Sequence, residues 1–333
     1  MHQQREVVVC VDAIGGDKSP DEILPGAAAA VASDESLRVV LTGPEEVVAP
    51  FAESHEHIEA VSTAERIDMD DHPANAVRTK KDSSIVVGCR LVRDGAAHAF
   101  FSAGSTGACM AAATLHMGRI KGIQRPAIAT ILPTAGTPVV FLDVGANADC
   151  KPQHLVQFAH MGSAYAKIVL GAVDPSIALL NIGEEPTKGS QLTQEAYALM
   201  SEEVPGFVGN VEGRDIVSGS VDVIVTDGFT GNIALKVLEG LSESLLGQVK
   251  DSLTESALNR AAAMVLRPSL TRLRSRLDPD TYGGAPLLGV SGVCIIGHGS
   301  SGRSAVAAGI RVAAQAARGG LPSAIGETVG ARS

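Results

Sequence analysis

A chain of 333 residues with 45% hydrophobic and 19% charged residues carries enough apolar material for a large core, which excludes a disordered or fibrous protein. Its net charge of −10 and isoelectric point near 5.4 argue against a general nucleic-acid binder, whose affinity rests on many Lys and Arg contacts to phosphate. No segment approaches the roughly 18 apolar residues that span a bilayer, and no N-terminal run has the basic start and apolar stretch of a signal peptide. A soluble protein is expected, one that at most lies on a membrane surface. The five cysteines, Cys10, Cys89, Cys109, Cys150 and Cys294, are far apart and include no C-x-x-C pair. Neither a zinc site nor a disulfide framework is expected from them, and a reducing cytoplasm fits.

Along the chain, short β-branched apolar runs end repeatedly in Gly and small polar residues. Residues 7–12 lead into "AIGGD", 27–32 read as an Ala-rich helix, and 39–43 form the next strand. The strand at 97–101 runs into "SAGSTGA", that at 139–143 into "VGANAD", and that at 177–182 into "GEEPTKG". Residues 207–209 precede "NVEGRD", 221–227 precede "GFTGN", and 292–296 precede "GHGSSG". Between the last two, 233–282 depart from the strand pattern and read as helices. Val237, Leu238, Leu241, Leu245 and Val249 form one stripe, Ser252 and Glu255 suggest a capping box, and Pro268 suggests a second helix start. Arg260, Arg267, Arg272, Arg274 and Arg276 then concentrate positive charge on an acidic chain. An Ala-rich helix at 305–317 follows, and the chain from Arg318 onward reads as a loop or short tail.

Continuous rather than alternating apolar runs indicate strands covered on both faces. The expected fold is therefore a three-layer α/β/α unit with a mostly parallel sheet and one helical excursion, without a boundary between independent domains. Ligands in such sheets bind beyond the carboxyl ends of the strands, so the bare turns point to one shared cleft. Glycine lets main-chain N–H groups approach an anion closely, and helix N-termini favour it further. A single Gly-rich turn is ordinarily mere turn chemistry, but six such loops make an inventory for a phosphate. There is no G-x-G-x-x-G at the first turn, no G-x-x-x-x-G-K-[ST], and no G-x-S-x-G around Ser105. Asp12, Asp143 and Asp227 each stand alone at a strand end, so neither a metal nor an organic cofactor is called for.

The ordered set "DAIGGD", "SAGSTGA", "RIKGIQRPAI", "DVGANADCKPQHL", "GEEPTKG", "NVEGRD", "DGFTGN" and "HGSSG" resembles the bacterial PlsX family of phosphate acyltransferases in phospholipid synthesis, from about residue 7 to about residue 315. Ile14 stands where that family usually has Met, and Ser105 where Asn is usual. The resemblance implies attack of inorganic phosphate on a fatty acyl thioester of acyl carrier protein. It also implies a fold similar to phosphotransacetylases and isocitrate-dehydrogenase-like proteins, a homodimer, and delivery of acyl phosphate at the inner face of the cell membrane to a membrane glycerol-3-phosphate acyltransferase. An acetyl- or butyryl-transferring enzyme that uses coenzyme A thioesters is the competing reading.

Lys188 is expected to neutralise the incoming phosphate, and Asn232 to donate to the thioester oxygen or orient the phosphate; a surface lysine and a helix cap are the bland readings. The expected substrate contacts are Asp12, Gly15, Gly16, Ser102, Gly104, Ser105, Thr106, Asp143, Gly145, Asn147, Glu184, Asp227, Gly228, Thr230, Gly231, His298, Gly299 and Ser300. Asp12 and Asp17 are expected to fix the first turn, and His298 serves equally as a phosphate ligand or a loop brace. The arginines between 260 and 276 suit a solvated dimer face, an anionic lipid surface, or carrier protein, for which Arg78, Lys80 and Lys81 compete.

Overall fold

The continuous apolar run that opens the chain becomes β1 (Val7–Asp12), and its burial pattern shows why such runs do not alternate in hydropathy. Val7, Val9 and Val11 enter the core on one face of the sheet while Cys10 enters the core on the other, so both faces demand apolar side chains. The computed structural model describes residues 6–134, 136–277 and 282–330.

In the first half of the chain β1 is followed by α1 (Ile23–Ala32), β2 (Leu37–Gly43), α2 (Glu45–Glu53), β3 (Ile58–Ser62), α3 (Pro73–Thr79), α4 (Ser84–Arg93) and β4 (Ala99–Ser102). Then come α5 (Thr106–Ala112), continued by a π turn over Ala113–Met117, β5 (Ala127–Leu132), β6 (Val139–Leu142) and α6 (Pro152–Tyr165). The remainder runs β7 (Ile177–Leu180), α7 (Gln191–Glu203), β8 (Phe207–Val211), β9 (Val223–Val225), α8 (Gly228–Thr254), α9 (Ala257–Leu277), β10 (Ala285–Leu288), β11 (Val293–Ile296), α10 (Arg303–Arg318) and α11 (Leu321–Gly330).

The eleven strands form one sheet in the order β3-β2-β1-β4-β11-β10-β5-β6-β9-β7-β8. Helices α1, α6, α7, α10 and α11 pack on the face that buries Phe101, Phe158 and Tyr165. Helices α3, α4, α5 and the first turns of α8 pack on the face that buries Phe100 and Phe141. Each such fully buried side chain contributes about 1.5–3 kcal/mol by leaving water. The three-layer, mostly parallel expectation holds.

Two strands break the parallel rule. β10 is antiparallel to both β11 and β5, and β5 is antiparallel to β6. Three reversals turn the second parallel block, β6-β9-β7-β8, opposite in direction to the first. The loops beyond the strand ends therefore fall at opposite edges of the sheet, which corrects the expectation that they converge directly on one cleft.

The helical segments also differ from expectation. The "GFTGN" stretch is the first turn of α8, not a loop ahead of it, because Asp227 caps the helix: its carboxylate accepts the Thr230 N–H at 2.9 Å and the Thr230 hydroxyl at 2.7 Å. Ser252 lies inside α8, and the break falls at 255–256, where Ser256 Oγ accepts the Asn259 N–H. Pro268 lies within α9 instead of starting a helix. The segment beyond Arg318 forms α11, whose Leu321 and Ile325 are buried, instead of a tail. The side chains of Arg272, Arg274 and Arg276 lie outside the described residues.

Candidate active site

One group of loops gathers at the carboxyl ends of β1, β4 and β11. Asp12, almost fully buried, accepts the Ile14 N–H at 3.2 Å and the Ser102 hydroxyl at 2.7 Å, and Ser102 Oγ in turn accepts the Gly104 N–H at 3.0 Å. Burial pushes the Asp12 carboxyl up, and these donors pull it partly back. A Cβ at Gly15 would collide with the Asp12 carboxylate. Gly16 has φ +90°, and any Cβ there would lie 2.9 Å from the carbonyls of Ala103 and Gly299. The Asp17 N–H donates to Gly299 O at 2.8 Å and so fastens the first loop to the last. Ser105 caps α5 by accepting the Ala108 N–H, and exposed Thr106 begins that helix. His298 is exposed, with Nδ1 accepting the Ser300 N–H at 3.3 Å and lying 2.8 Å from Ser300 Oγ.

The second group lies at the opposite edge, beyond β6 and β9. Asp143 is fully buried, and its carboxylate accepts N–H groups from Ile128 (3.0 Å), Ala146 (3.0 Å), Asn147 (2.8 Å) and the Asn147 amide (2.8 Å), with Gly145 at 3.3 Å. Burial pushes this carboxyl up, while the same donors favour its charged form. The Asn147 amide also donates to Pro126 O, and the Gly228 N–H donates to Asn147 O at 2.8 Å. A Cβ on Gly228 would sit 2.6 Å from Asn147 O, and one on Gly231 would overlap the Asp143 carbonyl. The start of α8 thus rests directly on the β6 loop, with the Asn232 amide about 3.6 Å from where a Cβ on Gly145 would stand. Asp227 and Thr230 are spent on each other at this helix start.

Glu184 and Lys188 stand apart, on the exposed loop between β7 and α7 at the same edge. The Asn181 amide donates to Lys188 O at 3.1 Å and fixes the backbone of that loop, while Glu184 faces Arg214 at 3.8 Å.

An open cleft of about 520 Å³ runs along α3 and α5. These helices start together near the first group, where a Cβ on Gly107 would stand 2.7 Å from Pro73. The cleft ends against Ala146 and Asn147 of the second group. Val77, Met110, Ala111 and Leu115 give it an apolar wall, the π turn contributing Thr114 and Leu115, and Arg78, Arg119 and Arg125 also line it. The expected site list did not include these residues. Arg119 and Arg125 fall in "RIKGIQRPAI", where closely spaced basic residues ahead of an apolar strand on an acidic chain were the available signal. Among the described residues no acidic side chain lines the cleft. Burial pushes the Cys10 and Cys109 thiols up to about 12 and that of Cys150, beside the second group, up to about 11.

The architecture is shared with phosphotransacetylases. The enzyme from Streptococcus pyogenes superposes with TM-score 0.65 at 18% identity over 95% of both chains, and EutD from Staphylococcus aureus with TM-score 0.63 at 17% identity over 94% of both. These likenesses define the fold class. Sequence takes the assignment further: a family model described as fatty acid synthesis protein matches residues 7–324, and the chain belongs to that family. It is 49% identical to a phosphate acyltransferase of Heliobacterium modesticaldum over 96% of this chain and 97% of that one. It is 46% identical to a phosphate acyltransferase of a Nostoc species over 93% and 92%.

Removing the Asp143 carboxylate would orphan buried donors that each cost about 1–3 kcal/mol when unpaired. Asp143→Ala is therefore expected to lose roughly 3 kcal/mol or more in urea unfolding, whereas Asp227→Ala, at a part-exposed helix cap, should lose only about 1 kcal/mol. Equal losses for the two variants would contradict the network described.

Proposed function

We propose that the chain transfers a fatty acyl group from the thioester of acyl carrier protein to inorganic phosphate, giving acyl phosphate and free carrier thiol. The observation that carries this reading is its membership, along nearly the whole chain, of a family whose curated relatives are phosphate acyltransferases. The chemistry suits a site without an activated nucleophile. Phosphate is already anionic at neutral pH; its oxygen bonds to the acyl carbon, the C–S bond breaks, and the departing thiolate is a good leaving group that takes up a proton from solvent. The protein has to supply position and oxyanion donors, terms worth about 7–11 and about 2.7–4 kcal/mol. In this reading Lys188 neutralises the incoming phosphate, and Asn232, in the first turn of α8, donates to the thioester oxygen. The Asp12, Ser102 and Gly104 network holds the loop from which α5 sets out along the cleft.

The test is release of carrier thiol from palmitoyl-acyl carrier protein with and without inorganic phosphate, for wild type and Lys188→Ala. Phosphate-dependent release by wild type is expected, with the KM for phosphate raised about tenfold or more in the variant, as befits a lost charge-assisted contact. Turnover of acetyl- or palmitoyl-coenzyme A in place of the carrier would move the assignment to a coenzyme A-dependent transferase.

A second copy of the chain covers α8. Val237, Leu241, Leu245 and Val249 are spaced along one side of that helix and remain about half exposed or more, a stripe that a soluble surface does not leave bare. Farther out on α9, exposed Leu258, Met264, Val265 and Leu266 accompany exposed Arg260 and Arg267, a combination suited to an anionic lipid surface from which a membrane glycerol-3-phosphate acyltransferase takes the acyl phosphate. Among the described residues no helix is long and apolar enough to cross a membrane. In light scattering, wild type should have the mass of a dimer and Leu241→Glu/Leu245→Glu that of a monomer. A dimer that survives both charges would place the contact elsewhere.

A further inference from the structure

The cleft between α3, α5 and the β6 loop joins two chemistries that a small inorganic anion does not need together. Its volume of about 520 Å³ falls in the range of small-molecule sites and far exceeds one phosphate. Arg78 comes from the last turn of α3, Arg119 from the segment after the π turn, and Arg125 from the residue pair that leads into β5, so three separate parts of the chain contribute arginines to the lining of one space. Among the described residues none of the three has a carboxylate within salt-bridge distance, whereas Arg38, Arg66, Arg93, Arg214 and Arg318 each have one. Arg119 donates to the carbonyl of Gln124, which draws the turn between it and Arg125 together. Asp143, a buried carboxylate behind the cleft floor, is fully engaged with N–H donors. Against this positive rim stands an apolar wall of Val77, Met110 and Leu115, with Leu115 presented by a π turn, a feature that recurs at functional sites.

We infer that Arg78, Arg119 and Arg125 hold the phosphate group of the acyl phosphate, and that Val77, Met110 and Leu115 carry the first carbons of its chain. Guanidinium forks match phosphate oxygens two at a time, and the apolar residues of the same lining suit an alkyl chain. The assignment rests on the acyltransferase reading but concerns groups that reading does not require.

The probe is dodecylphosphonate, an anionic head on an alkyl chain, titrated calorimetrically into the full-length protein. Wild type should bind it saturably, and Arg125→Ala and Arg78→Ala should each weaken binding about 10- to 100-fold while leaving the unfolding temperature unchanged, since both side chains are exposed. Arg125→Lys should recover part of the loss. In turnover the same alanine variants should raise the KM for inorganic phosphate and leave that for acyl carrier protein within about twofold. Unchanged dodecylphosphonate binding would overturn the assignment, and so would a rise confined to the KM for the carrier, which would make the arginines a carrier-docking surface. If wild type binds dodecylphosphonate through these arginines yet transfers nothing to phosphate, the site assignment stands and the acyltransferase reading falls.

Discussion

The Asp143 carboxylate is where three parts of the chain meet through hydrogen bonds, beside the apolar packing of Ile128 and Val144. It takes N–H groups from the start of β5 and from the loop it begins, and through Asn147 it reaches the first turn of α8. Burying a carboxylate is costly unless its oxygens are filled, and here they are filled by main-chain N–H groups and the Asn147 amide. The glycines at 228 and 231 follow from the same constraint, since any side chain there would occupy the space of this loop. The loop that closes this end of the cleft is thereby held by its own hydrogen bonds.

Strand direction supplies the second constraint. Because β10 and β5 run against their neighbours, the loops of the two parallel blocks face opposite edges, and only helices that return along the sheet can connect them. α3 and α5 do so, starting beside the first loop group and ending beside the second. The cleft along them has apolar side chains on one part of its lining and arginines on another, a combination suited to a substrate that joins a long chain to a small anion.

Much of this was legible in the sequence. β1, β4, β6 and β11 announce themselves as uniform apolar runs closed by glycine, because strands buried on both faces leave no polar positions. β3 was hidden by its edge position, which exposes Glu59 and Ser62, and β10 by Pro286, which reads as a strand breaker. β5 lacks the closing Gly-rich loop that marked the others. The reversal of direction was illegible, since composition carries no sign of which way a strand runs. Asp12 and Asp143 were named as substrate contacts, whereas the oxygens of both are engaged by hydrogen bonds of their own loops; of the cleft arginines, Arg119 and Arg125 were missed and Arg78 was named only for carrier protein. Arg78 ends a helix and Arg125 precedes a strand, positions where an arginine is ordinarily just solvated.

The central claim is that phosphate attacks the thioester directly, with no acyl group passing through the protein. The most direct measurement is a rapid-mixing experiment in which enzyme, at a concentration comparable to palmitoyl-acyl carrier protein, is mixed with it in phosphate-free buffer and free thiol is followed. The account predicts no thiol until phosphate is added, then release with acyl phosphate formed in equal amount. A burst of thiol stoichiometric with enzyme in the absence of phosphate would reveal an acyl-enzyme and contradict it.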